Sequence, residues 1–582
     1  MPLQKMKVIP SLVGSTLVLA LTGGAYAADV VVRQFANGSG QNAVGIVEAS
    51  QDTETDGPQA LTTDENGNLY LLDQVNGRIV RFDPKNPTAD PRALELPQEL
   101  RPTDLIVRKS DILVWDGAVH ALQPQVQNNA TSTRGLEEVI TRAADDDTVV
   151  SAFAQMGSVD PGSATDLIDE NTRSVNIRSA GKHSARKHEH EVEARAPQHI
   201  LTRGGGSVMV DVIPEKGEAA ARIEVHHEGD TGGAPFARLA IKVSDRLGAV
   251  EFLEIDHAGR MFVFAENIPT SSGSAGAFVA RYAATGELEG IYELPLSNVP
   301  LSRRFVTVSG DGDVYFLRTQ SGGVQVLGLG FRSLANGKVI EVRGPPGFEL
   351  PKVAGRGPIT AVRPLTRDQV IKTALAFEGI QWQLNPAAYG RDPDTVCTGF
   401  AGRIRRPFYL IGKMGQQVRG VPYCWGCNGS LDQISTKIAH GVLAGNICTH
   451  NAPRPDVTGV DCSAFVSAAW GLATHFTTDA IPAIAQRVQN PWDLLPGDAL
   501  NKPGSHVMLF LGFTKDRMAK VMEASPGACN GRVCQNVYPL AALLARGFQP
   551  VRFRALENDT SVVAQADTTD KSDSNGRRTH RR

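Results

Sequence analysis

The stretch "LTTDENGNLYLLD", residues 61–73, has two short apolar segments on either side of a polar turn. Its turn carries Gly67, and glycine readily adopts the positive φ that a tight hairpin requires. Tyr70 follows the turn, and aromatic residues favour strands. The stretch therefore predicts a β-hairpin, and the wider fold depends on how often this hairpin recurs.

The same hairpin pattern recurs at "LIVRKSDILVWD" (105–116), "LEIDHAGRMFVFA" (253–265) and "VTVSGDGDVYFLR" (306–318). After most copies a second strand returns. Units of about 40–50 residues with several strands each are typical of propeller blades. These copies resemble degenerate blades of NHL-type propellers, so we expect an all-β propeller-like domain over residues 28–355. A β-sandwich with ordinary Asp-Gly hairpins is the alternative.

Between about residues 123 and 198 the repeat pattern vanishes and the chain becomes polar. This composition predicts a disordered insertion in the propeller. The insertion contains "KHEHE", but His183, His188 and His190 lack fixed geometry there, so we expect solvated histidines and no metal site. The polar tail, residues 557–582, is also predicted to be disordered.

The chain begins with the pattern of a secretory signal peptide, residues 1–27. Lys5 and Lys7 precede a short apolar run, and the segment ends in Ala-Tyr-Ala. The run is shorter than the ~20 residues that a membrane-spanning helix needs. We therefore expect export and no membrane span. The near balance of 59 basic and 62 acidic residues argues against a nucleic-acid partner.

A second domain is expected over residues 360–556. It opens with "TRDQVIKTALAFEG", in which Thr366 and Gln369 form a capping box ahead of helical apolar spacing. Further along stand "GVPYCWGC" (420–427), "GVDCSAFVSAAWGL" (459–472), "LLPGDAL" (494–500), "GSHVMLFLG" (504–512) and "VMEASPG" (521–527).

This ordered set resembles the NlpC-type cell-wall peptidases, which are papain-like cysteine peptidases that cut peptidoglycan stem peptides. The resemblance implies an α+β papain-like fold with Cys462 as nucleophile and His506 as base. Glu523 occupies the third position, where the family usually has His, Asn or Gln. Tyr423 would shape the oxyanion or substrate site, while Asp461 and Ser463 would contact a substrate amine. No cofactor is implied.

The residues themselves support these roles. Asp461 is a good helix N-cap, so Cys462 lies at a helix start, where backbone N–H groups favour a thiolate and can hold an oxyanion. In "SHVMLFLG" the residues alternate as in a strand, and a nucleophilic cysteine needs an imidazole within reach. A buried inert cysteine, a disulfide at Cys462, a core histidine and an unrelated surface Glu523 are the alternatives.

Seven cysteines lie in the last third of the chain. In an exported protein, three bridges and one free thiol are the simplest arrangement, and we expect Cys462 to be free. Cys529 and Cys534 are favoured as one pair. "CWGC" also permits a thioredoxin-like redox motif, and a zinc site is less favoured, but Tyr423 and Trp425 fit the peptidase pattern better.

Together these features predict a bacterial periplasmic or secreted cysteine hydrolase that cleaves amide bonds in peptidoglycan peptides. The propeller would bind a protein or glycan partner. The alternative is an interaction protein whose papain-like domain is a catalytically lapsed scaffold. Acyl transfer and deamidation by the same Cys–His pair stay open.

Overall fold

The computed structural model describes residues 27–48, 50–108, 111–124, 136–138, 153, 198–202, 206–228, 233–270, 274–296, 302–320, 322–342, 344, 365–393, 397, 403–448 and 454–557. Apart from Ala27 and Glu557, the predicted signal peptide and the predicted tail lie outside these residues, as does most of the predicted insertion with its three histidines. The described chain is mostly β-sheet with few helices.

The N-terminal part is a propeller-like array of five sheets in the described residues. Blade 1 contains β3 to β6 (Ala60–Thr63, Leu69–Asp73, Arg78–Phe82, Arg92–Glu95). Blade 2 contains β7 to β10 (Asp104–Arg108, Asp111–Trp115, Val119–Pro124, Leu136–Glu138). Blade 3 contains β11 to β14 (Gln198–Leu201, Ser207–Pro214, Ala220–His227, Ala237–Lys242).

Blade 4 contains β15 to β18 and β22 (Arg246–Ile255, Met261–Ile268, Gly276–Tyr282, Leu288–Glu293, Phe331–Ser333). Blade 5 contains β19 to β21, with β1 and β2 from the chain start (Val306–Val308, Val314–Gln320, Gly323–Gly328, Val30–Asn37, Ala43–Val44). Because β1 pairs antiparallel with β21, blade 5 joins the two ends of the propeller sequence.

The first strands of the blades contact one another from β11 to β15, β15 to β19, β19 to β3 and β3 to β7. Gly67, Gly259 and Gly312 have φ of 78°, 76° and 85°, so the turns that defined the repeat are real. The predicted repeat is therefore confirmed as propeller-like. One strand, Leu136–Glu138, lies inside the segment predicted to be disordered, because three residues are too few to register as a repeat.

The C-terminal part combines a six-stranded antiparallel sheet with short helices. The sheet order is β27-β32-β28-β29-β30-β31 (Ala485–Arg487, Gln549–Phe553, Ala499–Lys502, His506–Phe513, Ala519–Ser525, Arg532–Tyr538). Two small sheets pair β23 with β24 and β25 with β26 (Gln381–Gln383, Gln417–Arg419, Leu443–Ala444, Val457–Thr458).

The helices of the described part are α1 to α6 (Arg367–Gly379, Pro386–Tyr389, Leu431–Ala439, Cys462–Ala469, Ile481–Ile484, Leu540–Ala545). Short 3-10 turns lie at Phe408–Leu410 and Pro491–Asp493. The predicted capping box is present at the start of α1. No helix within the described ranges has the length and apolarity that crossing a membrane would require.

The two parts share one apolar core. A single cluster of buried residues extends from blade side chains such as Phe264 and Phe305 to Phe510 of β29 and Leu543 of α6. Helix α6 packs on β16 and β17 of blade 4. At its start the Ala541 N–H donates to Glu266 Oε1 over 2.7 Å, and Ala249 N donates to Glu266 Oε2 over 3.0 Å. Propeller residues therefore lie directly against the C-terminal sheet.

Candidate active site

The candidate nucleophile lies at the first position of α4. Asp461 caps this helix, because its Oδ1 accepts the Ala464 N–H over 2.8 Å. The predicted cap is therefore confirmed. Cys462 is completely buried and packs in the core formed by α1, α4 and the C-terminal sheet. It is the free cysteine, and the other six form Cys397–Cys448, Cys424–Cys427 and Cys529–Cys534.

The candidate base lies on the neighbouring strand. His506 is the first residue of β29, which packs directly on α4. The N–H of Val507, the next residue, points toward the Cys462 sulfur and favours its thiolate form. The thiol therefore lies against the backbone that carries the imidazole.

Glu523 completes this group from β30. Its Oε2 lies 2.6 Å from His506 Nε2, and both side chains are buried. Its other oxygen, Oε1, accepts from Asn536 Nδ2 over 2.6 Å and from the Tyr538 hydroxyl over 2.7 Å. A carboxylate with both oxygens engaged has a fixed orientation, so it can hold the histidine ring in one tautomer.

Burial and the mutual hydrogen bond have opposite effects on the pKa values of His506 and Glu523. Burial alone would lower the pKa of His506, but the hydrogen bond and charge of Glu523 outweigh it, and the pKa of the imidazole is raised. Burial would raise the pKa of Glu523, but the contacts with His506 and with Tyr538 and Asn536 outweigh it, and that pKa is lowered. Both shifts favour a charged pair.

A propeller residue supports this arrangement from behind. The Arg303 guanidinium lies 4.5 Å from the Tyr538 ring centroid, contacts Asn536 Oδ1, and donates to the Val537 carbonyl over 3.3 Å. Asn536 and Tyr538 are the two residues that hold Glu523. The propeller therefore helps to fix the Glu523 orientation through β31.

The remaining predicted residues lie around Cys462. Asp461 Oδ2 accepts the Gly426 N–H over 3.0 Å, which ties the helix start to the "CWGC" turn. Ser463 Oγ donates to Asp461 Oδ1 and lies 2.6 Å from His475 Nε2. Burial raises the pKa of Asp461 to about 6. Asp461 and Ser463 thus make internal hydrogen bonds here, and their contact with a substrate amine stays a prediction.

The "CWGC" cysteines are bonded to each other, and the next helix, α3, begins four residues later at Leu431. This differs from the strand-to-helix setting of a thioredoxin-like motif. Within the described residues, no group of three or more His, Cys, Asp or Glu side chains could hold a metal ion.

Residues 50–56, which we name the covering loop, lie over the nucleophile. They connect β2 of blade 5 with β3 of blade 1, and Val47 and Asp56 pair across the base of the loop. Cys462 Sγ donates to the Asp52 carbonyl over 3.2 Å, and Asp52 Oδ1 accepts the Thr478 N–H over 2.7 Å. Asp52 adopts a positive φ of 58°, which turns its carbonyl down onto the sulfur.

Other contacts anchor the covering loop on both sides of Cys462. Thr53 Oγ1 lies 2.9 Å from the Tyr423 hydroxyl, and Trp425 Nε1 donates to the Gln51 carbonyl over 2.8 Å. Glu54 Oε1 lies 3.4 Å from Lys502 Nζ. The hydroxyl of Tyr423, predicted to face the oxyanion or substrate, is therefore engaged by the loop.

The covering loop changes the chemistry expected of the thiol. Burial raises the pKa of the Cys462 thiol well above its usual range, and the charges of Asp461 and Asp52 add to this effect. The helix start alone predicts the opposite direction. A cavity of about 30 Å³ lies between the loop, Tyr423, His506 and residues 525–528. The thiol is kept protonated and shielded in this arrangement.

Sequence reasoning missed this loop and its anchors. Its polar sequence, "SQDTETD", reads as an ordinary connection between strands. Thr478, Lys502 and Asn536 likewise carry no motif signal, because they act through tertiary contacts. Trp425 is part of the peptidase-like pattern, but that pattern does not indicate its contact with the Gln51 carbonyl.

No family model matches the chain, and no curated protein matches it. Among solved structures, the chain is similar to a streptogramin B lyase, with 12% identity, a TM-score of 0.19, and coverage of 49% of this chain and 96% of the other. A luciferin-regenerating enzyme is 11% identical with a TM-score of 0.22, and the match covers 51% of this chain and 99% of the other. The PQQ-bound aldose sugar dehydrogenase from Streptomyces coelicolor is 10% identical with a TM-score of 0.21, and the match covers 53% of this chain and 98% of the other. These similarities are weak and concern β-propeller-like proteins.

Proposed function

We propose that the chain is an exported cysteine hydrolase that cleaves amide bonds in peptidoglycan stem peptides. One observation carries the proposal: a single free cysteine at a capped helix start packs against the strand whose first residue, His506, is hydrogen-bonded to a buried Glu523. The motif order of the C-terminal part, which resembles NlpC-type peptidases, supplies the substrate class and the papain-like fold.

In the proposed reaction the neutral form of His506, present above its raised pKa, takes the Cys462 thiol proton, and the sulfur attacks the carbonyl carbon of the scissile amide. First-turn N–H groups of α4 and the Tyr423 hydroxyl would stabilise the oxyanion. The intermediate collapses when the C–N bond breaks and His506 protonates the leaving amine. Water, activated by the same imidazole, then hydrolyses the thioester and regenerates the thiol.

Glu523 would stabilise the imidazolium form of His506 during both halves of the reaction. The propeller would serve two purposes in this proposal. It binds a protein or glycan partner, and it supplies Arg303, which supports the residues around Glu523.

The test is mass spectrometry of muropeptides and whole peptidoglycan after incubation with the wild type and with Cys462→Ala. We expect new amide-cleaved products with the wild type and none with the variant. Thermal unfolding of the variant should match the wild type closely enough to exclude misfolding. Equal product formation by both proteins would refute the proposal. Incubation with added amines separates hydrolysis from acyl transfer, because transfer gives an amide product.

A second function, an interaction scaffold without turnover, is favoured by the complete burial of Cys462 and the raised pKa of its thiol. The rate of Cys462 alkylation, measured across pH, distinguishes the scaffold from the enzyme. A lapsed scaffold predicts a reaction rate that stays low until the solution is strongly alkaline, in every variant of the covering loop. An enzyme predicts a reactive thiolate near neutral pH once the loop has been loosened.

A further inference from the structure

Two cations lie beside the candidate active site. Lys502, the last residue of β28, pairs directly across the sheet with His506. Arg546 lies at the C-terminal end of α6. Phe548 follows Arg546 by two residues, and its ring centroid lies 5.8 Å from Lys502 Nζ and 6.3 Å from the His506 ring.

Arg546 is buried, with only 8% of its surface exposed. Burial lowers the pKa of its guanidinium to about 10, and the negative charge of Glu54 opposes that effect. Within the described part of the chain, Arg546 Nη1 is buried without a hydrogen-bond partner. A buried cation with an unsatisfied donor is costly and calls for an explanation, and a bound ligand is one such explanation.

The anion that faces both cations is Glu54 of the covering loop. Its Oε1 lies 3.4 Å from Lys502 Nζ, and its charge acts on Arg546 and on His506. The side chains of Glu54 and Lys502 are only 15% and 23% exposed, and Glu54 lines the cavity beside Tyr423 and His506, which we name the cleft. The same loop covers Cys462 with the Asp52 carbonyl. It therefore fills the cleft with a carbonyl at the nucleophile and a carboxylate at the cations.

We propose that the covering loop is an internal ligand of the cleft, and that Lys502 and Arg546 form a subsite for a substrate carboxylate, which Glu54 occupies until the loop is displaced. This rests on the proposed function and narrows its substrate class to acidic peptides with a carboxylate close to the scissile amide. The unsatisfied Arg546 donor provides a second hydrogen bond that Glu54 does not use. A substrate carboxylate placed between the two cations would use it.

The experiment measures how fast Cys462 reacts with neutral iodoacetamide and with anionic iodoacetate, by intact mass spectrometry of the folded, disulfide-bonded protein. Both reagents form the same S–C bond and release iodide. Their rate ratio therefore reports the charge beside the sulfur, independently of the thiolate fraction. No turnover is needed.

We expect slow reaction of the wild type with both reagents. Glu54→Gln should raise both rates and should raise the iodoacetate to iodoacetamide ratio about tenfold, because the Glu54 carboxylate then no longer offsets the positive charges of Lys502 and Arg546. Adding Lys502→Met to Glu54→Gln should reverse most of that gain in ratio. Glu65→Gln and Lys515→Gln, both at exposed turn positions, are the matched controls and should leave both rates and the ratio unchanged.

The ionic-strength dependence of the ratio in Glu54→Gln gives a second measurement that needs no further variant. The ratio should fall toward that of free cysteine as salt increases. A ratio that is insensitive both to salt and to Lys502→Met would overturn the subsite. Equal alkylation rates of the wild type and Glu54→Gln would overturn the internal-ligand role of the loop.

The two proposals fail separately. If no variant cleaves muropeptides but the alkylation ratio behaves as expected, the proposed hydrolysis fails and the subsite stands. If muropeptides are cleaved and the ratio is indifferent to Lys502→Met, the subsite alone is refuted.

Discussion

The candidate catalytic residues and the loop that covers them are built in different ways. Cys462, His506 and Glu523 lie on α4, β29 and β30, which are near in sequence and packed together by the C-terminal sheet. The covering loop arrives from the propeller, and the hydrogen bond from Cys462 to Asp52 spans 410 residues of sequence. The candidate catalytic residues are thus positioned by local elements, whereas access to Cys462 is set by docking between distant parts.

The two regions also differ in how firmly they are held. Glu523 is buried and accepts three hydrogen bonds from its neighbours. The covering loop is held mainly by single hydrogen bonds, each contributing roughly 1 kcal/mol, and by one partly exposed ion pair. Segments held in this way open more readily than a packed core. We therefore expect the covering loop to open while the candidate catalytic residues stay packed together.

The largest expected effect comes from the catalytic side of this comparison. Glu523→Gln removes the charge that stabilises the imidazolium and presents an amide to the ring, which can favour the wrong tautomer. Turnover of muropeptides should fall by between about 10² and 10⁴, as for neutral replacements of triad carboxylates. Iodoacetamide reaction of Cys462 in the covered state should change much less, because the loop is untouched. Unchanged turnover would remove Glu523 from the mechanism.

The same variant should alter the pH dependence of stability. The pKa of His506 is raised in the folded state. Its contribution to the free energy of unfolding is therefore complete below about pH 6.5 and is lost as pH rises through the folded pKa. The pKa of Glu523 is lowered, so its contribution to the free energy of unfolding is present above about pH 4.3 and is lost as pH falls through the folded pKa. The urea unfolding midpoint of the wild type should show both losses of stability, one as pH rises and one as pH falls. The midpoint of Glu523→Gln should show neither. Glu65→Gln should retain both.

A smaller effect is expected where the covering loop meets the turn after β30. A methyl group on Gly527 would overlap the carboxyl group of Asp56, which is fixed by Gly57 N and Gln59 Nε2. Gly527→Ala should therefore push the loop outward and raise the iodoacetamide rate of Cys462 about tenfold, equivalent to about 1.4 kcal/mol of docking free energy. The rate is followed by intact mass spectrometry.

Two further variants test whether Gly527→Ala acts through the loop. Gly40→Ala makes the same chemical change where no atom lies within 4 Å of the added methyl group, and it should have no effect. Adding Asp56→Ala to Gly527→Ala removes the overlapping carboxyl group. If the iodoacetamide rate of Cys462 in this double variant does not return even partly toward the slow wild-type rate, Gly527→Ala does not act by displacing the loop.

The comparison also shows which features could be predicted from the sequence and which could not. Gly67, Gly259 and Gly312 marked three blades, because a positive φ in a hairpin is a local requirement. Blade 3 escaped notice, since its central hairpin turns at Gly217 and Glu218 without the shared Asp-Gly pattern. The free Cys462 followed from an odd cysteine count and the expected export.

Other features were outside the reach of local patterns. The covering loop is polar and aperiodic, and nothing in its residues indicates a site some 400 positions away. The raised pKa of the Cys462 thiol comes from its burial and from the charges of Asp461 and Asp52, so the helix start alone predicted the wrong direction. The support that Arg303 gives to Asn536 and Tyr538 likewise exists only once the propeller and the C-terminal sheet have packed together.

The smallest expected effect tests a single anchor of the covering loop. Trp425→Phe keeps the aromatic ring but removes the Nε1–H that donates to the Gln51 carbonyl over 2.8 Å. The carbonyl lies near solvent and can be hydrated instead, so the loss is at most about 1 kcal/mol, and the iodoacetamide rate of Cys462 should rise about three- to fivefold. The matched control is Trp492→Phe, because Trp492 Nε1 has no hydrogen-bond partner within the described structure.

A double variant tests whether Trp425 and Gly527 act on the same docked loop. If they do, combining Trp425→Phe with Gly527→Ala should raise the iodoacetamide rate by less than the product of the separate effects, since a loop that is already displaced has no Gln51 contact left to lose. Fully multiplicative rates would mean that Trp425 and Gly527 influence Cys462 by separate routes, and the covering loop would not be one docked unit.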